Sequence, residues 1–95
     1  MPTISIYTSG LSGSTAITKS TRRMEAILQG HRIEFTSVDI TLDDEAKQML
    51  KDNKPEGQLG LKLPQLWVDG QYKCDCDTLI DVNEFEDVKK YLGVE

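Results

Sequence analysis

The stretch Leu63-Pro64-Gln65-Leu66-Trp67-Val68, followed by Asp69-Gly70, constrains this chain more than any other part of it. Proline has no N–H to give to a sheet ladder, so Pro64 belongs at the start of a strand. Leu66-Trp67-Val68 then reads as buried strand. Asp-Gly between two β-prone runs is a strong two-residue hairpin signal, with Gln71-Tyr72-Lys73 returning. A proline-headed strand away from a sheet edge points to a cis Leu63-Pro64 bond. Leu66 and Trp67 are adjacent, so they face opposite sides of the sheet, and each is buried if both faces are covered.

The rest of the chain supplies the partners for that hairpin. Thr3-Ile4-Ser5-Ile6-Tyr7 alternates as a first strand with Ile4 and Ile6 on one face. Thr8 to Ser14 is a loop of small residues, in which Ser12 or Ser14 can cap a helix. Thr15 to Gln29 carries Ile17, Met24, Ile27 and Leu28 on one helical face, and Gly30 stands at the expected C′ position. Ile33, Phe35, Val38 and Ile40 mark a second strand. Thr41 with Asp44 reads as an acidic capping box for a helix with Leu42, Ala46, Met49 and Leu50, ending before Pro55. Glu56 to Lys62 is a loop. After the hairpin, Asp77 is the expected cap of a short helix with Leu79, Ile80 and Val82. Asn83 with Glu86 suggests a second cap, near Phe85, Val88 and Leu92. The order is β-α-β-α-β-β-α over one domain, residues 1–95. The first two strands are parallel, the hairpin is antiparallel, and the result is a four-stranded mixed sheet flanked by helices.

Charge narrows the function. Sixteen acidic residues against 11 basic give a net charge of −5, which argues against nucleic acid as the main partner. Lys19, Arg22 and Arg23 fall together on the first helix, with His31 and Arg32 after it, and read as a solvated face. No apolar run reaches the roughly 20 residues of a membrane span. The start lacks the pattern of a signal peptide. A cytoplasmic monomer is the expectation, with the nucleus also open to it. The two cysteines, Cys74 and Cys76, make no disulfide framework.

A loop running into a helix N-terminus offers free N–H groups and the positive end of the dipole, which lower the pKa of a cysteine placed there. This chain has Ser12-Gly13-Ser14-Thr15 at that place. Hydroxyls form no disulfide and run no thiol exchange. Ser12 also lacks a base, because the single histidine, His31, sits about 20 Å away along the helix. Capping is the reading for Ser12, Ser14 and Thr15. The helix start and the backbone beside a cis-proline still make a groove able to hold an extended peptide or a carboxylate.

Ile4-Ser5-Ile6-Tyr7, Gly13-Ser14-Thr15-Ala16-Ile17, Ile33-Glu34-Phe35, Val38-Asp39-Ile40, Asn53-Lys54-Pro55-Glu56, Leu63-Pro64-Gln65-Leu66, Gln71-Tyr72 and Tyr91-Leu92-Gly93 occur in an order that resembles the SH3-domain-binding glutamic-acid-rich-like family. These proteins are similar to glutaredoxins but lack the active-site cysteines, and the resemblance covers nearly the whole chain. It implies a thioredoxin-like, glutaredoxin-type α/β fold, no dithiol oxidoreductase activity, no cofactor, and a role as a small adaptor or modulator of redox or signalling partners. Some relatives offer a proline-rich SH3 or EVH1 ligand at this hairpin. Lys62-Leu63-Pro64-Gln65 has one proline and no Pro-x-x-Pro, so that role does not carry over. By the same resemblance, Ser12 and Thr15 stand where glutaredoxins have their two cysteines, and Ser9 where a lysine is common. Lys62-Leu63-Pro64 matches the segment whose backbone pairs with glutathione, and Cys76-Asp77 the pair that receives its γ-glutamyl end. The implied binding groove is Ser12, Gly13, Ser14, Thr15, Lys62, Leu63, Pro64, Cys76 and Asp77, with weak residual glutathione binding.

Cys74-Asp75-Cys76 is where the chain departs toward chemistry. Residues two apart in a strand stand about 6.5–7 Å apart, at the limit for a disulfide. Three readings follow: ordinary small residues at a strand-to-helix junction, a redox switch or thiol-disulfide oxidoreductase pair, or half of an intermolecular metal site, since two thiolates do not fill a zinc shell.

Overall fold

The computed structural model describes residues 3–9, 15–53 and 63–94. The elements are β1 (Ile4–Thr8), α1 (Thr15–Gly30), β2 (Thr36–Asp39), α2 (Asp44–Asp52), β3 (Gln65–Val68), β4 (Gln71–Asp75), α3 (Cys76–Phe85) and α4 (Val88–Leu92). They form one four-stranded mixed sheet in the order β2-β1-β3-β4. β1 is parallel to β2 and antiparallel to β3, and β3 is antiparallel to β4.

The hairpin sits where the sequence puts it. Leu63-Pro64 is cis, and Asp69 and Gly70 both have positive φ (52° and 81°), the geometry of a type I′ turn. Asp69 has a second task. Its Oδ1 accepts from the Thr3 N–H at 2.7 Å and its own N–H donates to the Thr3 carbonyl at 2.9 Å. The turn is thereby tied to the start of β1. Pro64 is buried at the head of β3, which lies between β1 and β4. A polyproline ligand must be extended and solvated, so Pro64 is not presented as one.

Each face of the sheet builds its own core. Ile4, Ile6, Leu66 and Cys74 pack with Met24 and Leu28 of α1, Leu79 and Val82 of α3, and Val88 and Leu92 of α4. On the other face Trp67 packs with Ile40 and with Ala46 and Leu50 of α2, joined by Tyr7, Val38, Met49 and Leu63. Leu66 and Trp67 thus divide between the two cores as their alternation requires. Edge contacts to Tyr7 (5.6 Å between centroids) and Tyr72 (6.3 Å) hold the Trp67 ring. Its Nε1–H donates to Gln65 Oε1 at 2.9 Å.

Several element ends differ from expectation. Gly30 is the last residue of α1, not its C′ residue. The left-handed position is Arg32 (φ 58°), and the bonds Arg32 N–H to Gln29 O and Ile33 N–H to Leu28 O close a Schellman motif. Burying Ile33 against the core that holds Leu28 fixes this stop two residues later. The cap of α2 is Asp43, whose Oδ1 accepts from Ala46 N–H, while the Thr41 hydroxyl donates to Asp39. Leu42 therefore precedes the helix and is 79% exposed. α3 is capped by Asp75, not Asp77, and α4 by Asp87, not Asn83. Phe85 ends α3 at 80% exposed.

Candidate functional site

The expected groove draws on three parts of the chain: the start of α1, the cis Leu63-Pro64 bond, and the junction of β4 with α3. Ser12, Gly13, Ser14 and Lys62 lie outside the described residues. Thr15 is the exposed first residue of α1. Leu63 is half-buried against the Trp67 core and Pro64 is buried. Asp77 lies exposed in the first turn of α3.

A residue the sequence reading passed over sets α1 on the sheet. Thr21 is buried, and its hydroxyl donates to the Ile17 carbonyl one turn back, at 2.7 Å. With that hydrogen committed, the Thr8 hydroxyl is the donor in the 2.7 Å contact between Thr8 and Thr21. The pair pins the end of β1 to the middle of α1. A threonine among Ile17, Met24 and Leu28 on a helix face was the available signal.

The β4–α3 junction is built by an irregularity. Leu66 pairs with Cys74 but Trp67 with Tyr72, so Lys73 is an extra residue in β4. This bulge turns Cys74 into the core. Asp75 then ends the strand, and its Oδ1 accepts from Thr78 N–H at 2.9 Å to start α3 on Cys76. Cys76 Sγ–H donates to the Ser20 carbonyl of α1 at 3.5 Å. Ser20 is five residues into α1 from Thr15, about 7.5 Å along the axis. Cys76 therefore lies beside the second turn of α1.

Both thiols are free, with Cys74 3% and Cys76 7% exposed. They sit on different elements, either side of a helix cap. Burial pushes the Cys74 thiol up to about 11, and the Asp75 carboxylate adds to the rise; the Tyr91 hydroxyl and Lys73 offset part of it. Burial also raises Cys76, helped by Asp77 and opposed by Ser20 and Arg23. Tyr91 is raised in turn, by burial first and then by Cys74, while the Lys73 ammonium lies 4.5 Å over its ring. A nucleophilic cysteine needs a lowered pKa and access, and this pair has neither. Among the described residues no group of three or more His, Cys, Asp or Glu is placed to hold a metal ion. No described helix is long and apolar enough to cross a membrane.

Comparison with known proteins bears on the family and the fold. The family model described as "SH3-binding, glutamic acid-rich protein" matches residues 2–95. The SH3 domain-binding glutamic acid-rich protein homolog of Drosophila melanogaster is 31% identical over 100 residues, covering 94% of this chain and 63% of that protein. This chain therefore spans less than two thirds of that relative's length. Among solved structures, the C. albicans actin interacting protein Aip5 superposes with a TM-score of 0.78 at 28% identity, over 96% of this chain and 88% of that one. Glutaredoxin C1 from Populus tremula x tremuloides superposes with a TM-score of 0.67 at 14% identity, over 95% of this chain and 82% of that one, a likeness of fold alone. The family model spans the chain from β1 to α4, and this chain belongs to the SH3-binding, glutamic acid-rich protein family, on a thioredoxin/glutaredoxin-like fold.

Proposed function

We propose that this chain is a non-enzymatic protein-interaction module on a glutaredoxin frame, with the groove between the start of α1 and Leu63-Pro64 as its contact region. One observation carries the reading. The position where a helix dipole would make a reactive thiolate holds Ser12-Gly13-Ser14-Thr15, while the two thiols the chain does have are buried and shifted upward. A thiol-disulfide oxidoreductase working through Cys74 and Cys76 would need the opposite arrangement.

The partner is a protein, and actin is the first to try, because the C. albicans structural relative is an actin interacting protein. An NMR titration of the labelled chain, with monomeric actin and separately with millimolar glutathione, tests this. Shifts at Thr15, Leu63 to Gln65 and Asp77 with actin, and none with glutathione, support the interaction reading. Groove shifts with glutathione alone replace it by a glutathione-binding regulator. Turnover of a glutathione mixed disulfide removes the non-enzymatic reading.

A further inference from the structure

The outer face of α1 carries a charge pattern that neither the cores nor the groove explains. Lys19, Arg22 and Arg23 stand at i, i+3 and i+4, all exposed, so they are neighbours on the helix surface. Among the described residues no hydrogen bond or ion pair holds any of the three. The one carboxylate of α1, Glu25, is taken by the Ser37 hydroxyl of β2, which donates to it at 2.8 Å. The surroundings are of opposite sign: from Asp75 to Asp87 there are six carboxylates and no lysine or arginine. In a protein of net charge −5, these three adjacent cations are thus held in no ion pair among the described residues.

A shallow groove of about 300 Å³ runs from this stripe toward α3, lined by Arg23, Ala26, Ile27, Gly30, His31 and Asn83. Small residues, Ala26 and Gly30, keep it open. His31 Nε2 and Asn83 Oδ1, 2.8 Å apart, close its far end. Like charges at this spacing repel along the helix, so an anion laid across them relieves the repulsion as well as pairing with each.

We propose that the outer face of α1 docks an acidic protein segment, an extended run of Asp and Glu whose carboxylates meet Lys19, Arg22 and Arg23, with one side chain in the groove between Arg23 and the His31–Asn83 pair. Asp77, Asp81 and Glu84 on α3 repel a broader polyanion such as a duplex or a charged bilayer. The exposed part of α1 carries no aromatic ring for a base to stack on and no large apolar side chain to enter a membrane. The proposal concerns a different surface from the groove at Pro64 and holds whatever that groove binds.

Fluorescence anisotropy of a labelled twelve-residue Asp/Glu peptide, titrated with the full chain in 50 mM salt, is the test. Saturable binding is expected, weakening several-fold at 200 mM salt as exposed charges are screened. Lys19→Glu/Arg23→Glu should lower affinity by about tenfold or more, while Lys47→Glu/Lys51→Glu on α2, an equal change in net charge, should alter it less than about twofold. The neutral Lys19→Gln/Arg22→Gln/Arg23→Gln variant gives the same readout if charge reversal disturbs folding. No saturable binding overturns the proposal. So does equal loss in the α1 and α2 variants. Tighter binding of a single-stranded oligonucleotide or of phosphatidylserine vesicles than of the peptide does so too.

Discussion

α1 starts at Thr15 after a run of hydroxyl side chains and has no thiol to activate, whereas α3 starts on a thiol, Cys76, that its surroundings keep neutral. The two helix starts lie close together, joined by the Cys76 contact to Ser20. Each has half of what a thiol enzyme needs. A helix dipole lowers a cysteine's pKa only where the sulfur still meets solvent. At α3 the desolvation of a sulfur packed into the core outweighs the dipole, and Asp77 in the first turn opposes it further. Position along a helix does not create reactivity by itself; position and exposure must coincide.

The strongest way to break this contrast is to loosen the core that buries the thiols. Leu79 is fully buried one turn after Cys76. Leu79→Ala should cost about 2–5 kcal/mol in denaturant unfolding and raise the alkylation rate of Cys76 at neutral pH. A stability loss without faster alkylation would separate burial from reactivity.

The next effect is on pH dependence. The folded chain holds the Cys74 proton until about pH 11, while the unfolded chain releases it near the ordinary 9.0. The stabilisation is thus fully present below pH 9, falls as the pH rises, and is lost above about pH 11. Its size is of order 1–2 kcal/mol. Tyr91 is shifted in the same direction and adds to the alkaline loss. Cys74→Ala should flatten this alkaline limb in chemical denaturation measured from pH 8 to 11.

Asp75 sharpens the contrast from the other side. Asp75→Ala removes the α3 cap, costing about 1 kcal/mol, and also removes a charge that raises Cys74. The alkaline limb should then move toward higher stability relative to the variant's own neutral value. The smallest effect belongs to Cys76→Ser, whose hydroxyl can keep the bond to the Ser20 carbonyl. It should change stability by under about 1 kcal/mol.

Much of this fold is legible because a few residues leave no alternative. Pro64 heading an apolar run, Asp69-Gly70 between β-prone segments, and the adjacent large side chains Leu66 and Trp67 each admit one placement. Helix caps were less legible, because acidic residues cluster where helices begin. The sequence suggests Thr41, Asp77 and Asn83 as caps, and the structure uses the nearby Asp43, Asp75 and Asp87 instead. The choice is made by which neighbour must be buried: Ala46 in α2, Cys76 in α3, Val88 in α4. The Lys73 bulge was illegible, since nothing in Gln71-Tyr72-Lys73-Cys74 signals an extra residue. That bulge is what buries Cys74, so the state of the thiols had to come from the structure.

The central claim is that these thiols stay neutral and idle on a frame lacking the catalytic pair. A glutathione-dependent disulfide-reductase assay on the wild type beside Cys74→Ser/Cys76→Ser tests it most directly. The account predicts no turnover above background in either protein. Turnover in the wild type that disappears in the double variant would contradict it and place thiol chemistry at the β4–α3 junction.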